Sequence, residues 1–278
     1  MSEDSLITLA DTGLGTTYER WALNRVLQRI QQAYQIQSVL EGPGDGMTGI
    51  AGINSIILGR QGIPVTLHLL DASEAAYAES VWNIHAPQAP LEIVTGPDIR
   101  FPDRSYDLVW NFNVLTCAPD PGVLLAEMTR ISRRYVFFCV LNAGNYSFWL
   151  HRLHHKVAKQ PWDHGDVALM RPAPWRALLA DKNLRLCEAF YLDCPWWPDI
   201  VDPAQLLVDF LPFLKRAPQK AKPENRMKWE PETLPYFDPV RYPEIHHKMQ
   251  RLAFFENSRF PLLKRLFGHH FGVLAEKL

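Results

Sequence analysis

Ser38-Val39-Leu40-Glu41-Gly42-Pro43-Gly44-Asp45-Gly46 is the stretch that decides the fold. Its first part is short, apolar and closed by an acid, which reads as a buried strand. Glycines at 42, 44 and 46 then form a turn that lets another group come close to the main chain. A helix is expected next, from about Thr48 to Arg60, with the small residues Gly49, Gly52 and Ser55 packed on a sheet. The start of such a helix offers unpaired N–H groups to whatever lies over the turn. The plain alternative is a tight strand-to-helix turn with no ligand.

Working outward, the same alternation continues. Thr16 and Glu19 have capping-box spacing ahead of Ala22, Leu23, Val26, Leu27 and Ile30, so a helix is expected over 16–34. After the glycine turn, Val65–Leu70 reads as a second strand that ends at Asp71, and Ser73 and Glu74 begin a helix through Trp82. Strands follow at Leu91–Thr95 and Tyr106–Trp110. Asp120-Pro121 starts a helix that turns Leu124, Leu125, Met128 and Ile131 inward. Arg134–Leu141 is a nearly continuous apolar strand, as expected for one buried on both faces. A short helix at Trp175–Ala180, a strand at Leu184–Tyr191 and a last strand at His270–Lys277 complete the pattern. Strands that alternate with helices across short connections predict a parallel sheet covered on both faces.

The 278 residues suit one α/β domain with insertions. The expected division is a helical cap at 1–35, a core at 36–193 with an insertion at 143–172, a lid insertion at 194–267, and the last strand at 268–278. The lid is expected to hold some helix near Ala204–Lys215 and little regular structure from Ala217 to Pro243. With 21% charged residues and a formal net charge of −1, no basic excess draws this surface to nucleic acid. None of Cys117, Cys139, Cys187 and Cys194 lies at C-x-x-C spacing, and Cys139 and Cys187 read as buried thiols. Neither a signal peptide nor an apolar run of membrane-spanning length is evident, so a soluble protein of the reducing cytoplasm is expected. The 22 prolines and 9 tryptophans gather mainly after position 145, which suggests a substrate lid of irregular structure.

Chemistry is expected at the strand ends. An acid such as Asp71 after the second strand can accept hydrogen bonds from both hydroxyls of a ribose, which suits a nucleoside-type cofactor across the glycine turn. It can equally cap the following helix, a task Ser73 could share. Further along come Gly96-Pro97-Asp98-Ile99, then Phe101-Pro102-Asp103-Arg104-Ser105-Tyr106-Asp107-Leu108-Val109, then Asn111, Asn113-Val114-Leu115 and Leu124-Leu125-Ala126-Glu127-Met128-Thr129-Arg130-Ile131. In this order, from Ser38 to Asn142, the chain resembles the class I S-adenosylmethionine-dependent methyltransferases, particularly the branch that acts on small molecules. The resemblance implies a Rossmann-like, doubly wound, seven-stranded α/β sheet, mostly parallel with an antiparallel last strand, plus lid insertions. It implies S-adenosyl-L-methionine as cofactor. Glu41, Gly42, Gly44 and Gly46 would border its methionine part. Asp71 with Ala72 would hold the ribose, and Asp98 with Ile99 the adenine. Asn111 and Asn113 would face the reacting methyl, although Asn also suits the ends of strands as a turn residue. The family turn reads acid-x-G-x-G-x-G. Here it is one residue tighter, and Pro43 removes an N–H from the turn that would border the cofactor carboxylate.

Histidines concentrate after the fifth strand. His151 and His155 have i, i+4 spacing and can share a helix face, and Asp163, His164 or Asp166 stands near enough to complete a metal site. The reading nevertheless takes no metal and makes His155 and His164 the candidate general bases. Tyr146, Trp149, His154, Trp196 and Trp197 are the candidate acceptor-binding residues. Leu206–Arg216 reads as a buried lid helix, with contact at a membrane surface as the lesser alternative. The expected reaction is direct in-line displacement of the methyl group onto a small apolar or aromatic acceptor, in a pocket between the strand ends and the segments Asn142–Arg171 and Cys194–Phe267. A nucleotide-linked oxidoreductase and a non-catalytic binding module of the same fold remain open at this point.

Overall fold

The computed structural model describes residues 11–44, 50–157, 159–197 and 227–278. Seven strands form the central sheet: β1 (Val39–Glu41), β2 (Val65–Leu69), β3 (Leu91–Thr95), β4 (Tyr106–Phe112), β5 (Ser132–Leu141), β6 (Leu184–Leu192) and β7 (His270–Lys277). Their order is β3-β2-β1-β4-β5-β7-β6. The first five run parallel, with Val39 of β1 opposite both Val65 and Leu108. β7 is antiparallel to both of its neighbours, with Val273 between Phe138 and Ala189. Every residue of β1 and β2 is buried, as apolar runs inside a parallel sheet require. The reversed strand inserted between β5 and β6 separates this sheet from the dinucleotide-binding order, in which six strands continue in one direction.

Alternation along the strands divides the core. Leu108, Trp110, Phe112 and Phe137 face a layer made by α1 (Gly13–Tyr34), α2 (Ile56–Gly59), α3 (Ala72–His85) and the segment around Tyr236 and Phe237. Val109, Val136, Phe138 and Val273 face α4 (Pro121–Ile131) and α6 (Pro172–Asp181). Asp120 caps α4 by accepting from the N–H groups of Gly122 and Val123, with Pro121 at its first position. Three further helices are α5 (Phe148–Val157), α7 (Pro243–Leu252) and α8 (Pro261–Phe267). The two-residue strands Asp11–Thr12 and Lys228–Trp229 pair beside α1. Cys139 and Cys194 are buried, Cys187 is half-buried and Cys117 is exposed; all four are free thiols. No helix among the described residues is long and apolar enough to cross a membrane.

Two expectations are corrected here and one is extended. First, α1 begins at Gly13, where φ is +94°, so Thr16 lies inside the helix and not at its cap. Second, the helix expected over Thr48–Arg60 is a single turn, α2, within the described residues. The buried Glu41 carboxylate accepts from Ser55 N at 3.0 Å and from Asn54 Nδ2 at 2.9 Å, and Gly52 has a φ of +70°. These contacts hold 50–55 as turns. Third, the stretch up to Pro243 carries two 3-10 turns, Pro231–Thr233 and Pro235–Phe237, and α7 and α8 follow. Asp45, Gly46, Thr48, Gly49 and the segment Ala204–Arg216 lie outside the described residues.

Candidate active site

The cleft lies at the edge of the sheet where β4, β5 and β6 end. It measures about 580 Å³. One wall is the first turns of α1, with Gly15, Thr16 and Glu19. The floor is Phe112 and Asn113 from the end of β4, Leu141 and Asn142 from the end of β5, Asp193 after β6, and His269 and His270 at the start of β7. The opposite wall is α5 and the loop after it, with Phe148, His151, His155, Asp163 and His164.

Topology explains the floor. An antiparallel strand starts at the edge where its parallel neighbours finish, so residues 269 and 270 stand beside Asn142 and Asp193. Asn142 N donates to His269 O at 2.8 Å, and His269 N donates to Asp193 O at 2.9 Å. The side chains form a second network. Asp193 Oδ2 lies 3.0 Å from His269 Nδ1 and 3.5 Å from His270 Nδ1. His270 Nε2 lies 3.1 Å from Asn113 Nδ2 and 3.8 Å from Glu19 Oε2. Burial disfavours the Asp193 charge, but the two imidazoles outweigh it and hold the carboxyl below its ordinary value. Asn113 takes a left-handed backbone, φ +57°, which Asn tolerates, and its buried Oδ1 has no hydrogen-bond partner.

The α5 wall is anchored by two asparagines. Asn142 Nδ2 donates to Arg265 O at 2.7 Å and Gly268 O at 2.8 Å, while its Oδ1 accepts from Gly144 N at 2.8 Å. Asn145 Oδ1 accepts from Ser147 N at 2.8 Å and from Ser147 Oγ at 2.6 Å, just ahead of α5. His151 and His155 follow one turn apart on the helix. His164 reaches them from the next loop, where Asp166 N donates to Thr116 O at 2.7 Å and Gly165 fits at a φ of +94°. Trp162 packs edge-on against all three imidazoles, with ring centres 4.7–5.6 Å apart. His155 Nε2 lies 3.2 Å from His151 Nε2 and 3.3 Å from His164 Nε2.

Of the residues singled out in the sequence, His151, His155, Asp163, His164 and Asn113 are brought together in this cleft. Asn111 is not: it shares the Val109 face of β4 and donates to Met128 Sδ at 3.3 Å, on the far side of the strand. The Glu41 carboxylate is fully occupied by Asn54 and Ser55. Gly42 N donates to Trp110 O at 2.9 Å and Gly44 N to His68 O at 2.8 Å, so the first part of the glycine turn is tied to β4 and β2. Asp71, exposed with Ala72 beyond β2, caps α3 by accepting from Ser73 N at 2.8 Å, which holds its carboxyl below the ordinary value. Asp98 is exposed and paired with Arg100 at 2.5 Å, and Ile99 is buried against the Val109 face.

The aromatic residues expected around an acceptor lie elsewhere. Trp149 is half exposed on the outer side of α5, His154 stands beside His155 but off the lining, and Trp196 is 63% exposed. Tyr146 donates to Trp196 O at 3.0 Å, and Trp197 packs edge-on against Tyr18. Among the described residues, only Phe112, Leu141 and Phe148 give the lining large apolar side chains; the rest is chiefly Asn, His and carboxylate. Asp193, His269 and His270 were not among the sequence candidates, Glu19 entered only as a helix-start residue, and His151 only as a metal ligand beside His155. The adjacent pair His269-His270, at the start of a strand expected to be antiparallel, was the signal that could have found them.

Residues 48–140 match the family model described as a methyltransferase domain. No curated protein matches the sequence. Among solved structures, magnesium protoporphyrin IX methyltransferase from Synechocystis PCC 6803 with bound SAH is 14% identical, covers 64% of this chain and 78% of its own, and has a TM-score of 0.50. The YcgJ protein from Bacillus subtilis is 11% identical, with 92% and 97% covered and a TM-score of 0.50. At these identities the likeness is one of fold. Together with the match over residues 48–140 and the β3-β2-β1-β4-β5-β7-β6 sheet, it gives the chain the Rossmann-like α/β fold of the class I methyltransferases, with a central region similar to the methyltransferase domain.

Proposed function

We propose that the chain transfers a methyl group from S-adenosylmethionine, by direct in-line displacement, to a small polar acceptor held in the cleft between α1, α5 and the ends of β4 and β5. The observation that supports this most is the position of the cleft at the carboxyl edge of the parallel strands, where open α/β sheets bind ligands. Its lining sets Asn, His and carboxylate groups beside the apolar side chains of Phe112, Leu141 and Phe148, which suits a small acceptor that carries hydrogen-bonding groups.

The residues present fit an adenosyl group on two counts. Asn113 holds a buried, unpartnered acceptor oxygen at the end of β4, and Asp71 is exposed just beyond β2. The N–H groups of Gly42 and Gly44 serve the sheet, so they are not the ones to hold it. When bound, the cofactor supplies a methyl group already activated on a positive sulfur. The chain then has to align the acceptor, exclude water and take up a proton where the acceptor carries one. For that last task, His155 Nδ1 donates to Pro161 O at 2.8 Å, which leaves the Nε2 lone pair to accept the proton in the cleft. Calorimetry with S-adenosylhomocysteine tests the reading. Heat of binding and a raised melting temperature are expected; neither heat nor shift at millimolar ligand would overturn it.

A further inference from the structure

We propose that His151, His155 and His164 bind one divalent transition metal ion of the zinc class, with an open coordination position facing the cleft. Metal binding stands on the geometry alone; only what the open position binds rests on the methyl-transfer reading.

The argument begins with protons. Pro161 O can only accept, so His155 Nδ1 carries the hydrogen and its Nε2 is a bare lone pair. Two further Nε2 atoms crowd that one lone pair, at 3.2 and 3.3 Å. Three ring nitrogens thus converge on one point, and a cation placed among them can be bound by all three at once. The spacing agrees with this. Ligands about 2.0–2.1 Å from a tetrahedral zinc stand about 3.3–3.4 Å from one another. The ligand nitrogens of all three residues lie within 4.8 Å of one another, so a small rotation of one ring closes the third edge.

The surroundings match those of a metal ligand set. The Pro161 carbonyl fixes the tautomer and orientation of His155, as outer partners of ligating histidines do. The helix supplies two ligands one turn apart, and Trp162 packs the rings from the side. Asp163 Oδ1 lies 3.4 Å from His164 Nε2 and brings a negative charge to the cluster. Three nitrogen ligands leave one tetrahedral position, and the cluster lines the cleft, so that position is open to a ligand there. An oxygen or sulfur substituent of the acceptor is the matching donor. Bound to the cation it would lose its proton more readily, which would replace the role of His155 as base. A second set, Glu19, Asp193 and His270, is close enough to hold an ion. There Asp193 Oδ2 faces the imidazoles of His269 and His270, and His270 Nε2 pairs with Asn113 Nδ2; the H270Q variant separates this set from the three imidazoles.

The test is titration of the chelator-stripped full-length chain with Co(II), followed in the visible spectrum, with Zn(II) in competition. One saturable site with d–d absorption is expected, displaced by zinc. H155Q and H164Q should each weaken binding at least about 100-fold, beyond the loss caused by removing an outer partner alone. H270Q should bind as the wild type does. Circular dichroism establishes that each variant is folded, and protection of the wild-type histidines from diethyl pyrocarbonate by zinc gives a readout that needs no variant. No saturable absorption and no protection in the wild type would overturn the proposal. So would undiminished binding by folded H155Q and H164Q, or loss of binding in folded H270Q. S-adenosylhomocysteine titration of the metal-free chain reports separately on the methyl-transfer reading.

Discussion

Glu256 offers the sharpest test of how the cleft is held together. It lies in the turn after α7, half-buried, and its Oε2 accepts from Cys194 N at 2.8 Å and from Tyr18 Oη at 3.4 Å. Burial, reinforced by the charge of Asp193, raises its carboxyl from an ordinary 4.5 to about 7. Burial, together with the same carboxylate, pushes the Tyr18 phenol well above its ordinary range. The perturbation is Glu256→Gln, which keeps an acceptor oxygen for Cys194 and Tyr18 and removes the titration. In the unfolded chain the carboxyl ionises near its ordinary value; in the folded chain it holds its proton to about 7. Its contribution to stability is therefore complete below the unfolded value and is lost as pH rises through the folded one. At about 1.36 kcal/mol per pH unit, the loss is of order 3 kcal/mol.

Urea unfolding of both proteins between about pH 4 and pH 8 measures this, and only their difference matters. Asp193 has the opposite sign, since a lowered carboxyl stabilises above its unfolded value and loses that contribution as pH falls, but it is present in both proteins and cancels. The wild type should lose stability relative to the variant as pH rises, with most of the change between about pH 4.5 and pH 7. A pH-independent constant offset from the amide itself is allowed. A difference that stays flat with pH, or grows toward acid, would refute the assignment of Glu256 as a carboxyl that is neutral in the folded chain.

Asp71→Ala should lower the melting temperature slightly through loss of the α3 cap. If Asp71 also holds the ribose, the affinity for S-adenosylhomocysteine should fall about tenfold or more, as loss of charge-assisted hydrogen bonds does; unchanged affinity in calorimetry leaves it as a cap. Gly165→Ala should destabilise the chain by more than about 1 kcal/mol, because an alanine there meets both a left-handed φ and a steric contact. The added Cβ would lie 2.5 Å from Thr116 O, so a denaturation midpoint equal to that of the wild type would contradict the described loop.

Periodicity and turn chemistry made the sheet legible. The strands Leu91–Thr95 and His270–Lys277 run as the sequence suggests, and Asp120-Pro121 opens α4. What was not legible depended on contacts between distant residues. The Thr48–Arg60 helix gives way to turns because Glu41 holds Asn54 and Ser55, and local pattern does not record that grip. α7 and α8 both begin with proline at the first helical position, a signal that was present at Pro243 and Pro261 but stood inside a stretch read as irregular lid. His155 and His164 were singled out by type and density. Asp193 and His270, on the floor of the same cleft, were not, because each stands at the boundary of a strand and gains meaning only once β6 and β7 lie side by side.

The reversal of β7 is what joins the two walls of the cleft. For β7 to start at this edge, the chain must turn sharply out of α8. Gly268 allows it, since a Cβ there would lie 2.7 Å from Lys264 O and 3.0 Å from the Tyr191 side chain. Gly268 O in turn accepts from both Asn142 and Asn145, the residues that set the entry to α5. One tight junction thus fixes two things. It sets His269 and His270 into the sheet between β5 and β6, with their rings on Asp193. It also anchors the helix that carries His151 and His155 across the cleft. The floor is held by sheet hydrogen bonds on both sides, whereas the imidazole wall is held at the start of α5 and through Gly165 and Thr116. Any adjustment to a ligand should therefore fall on the wall, and the floor should stay as the fixed reference against which an acceptor is aligned.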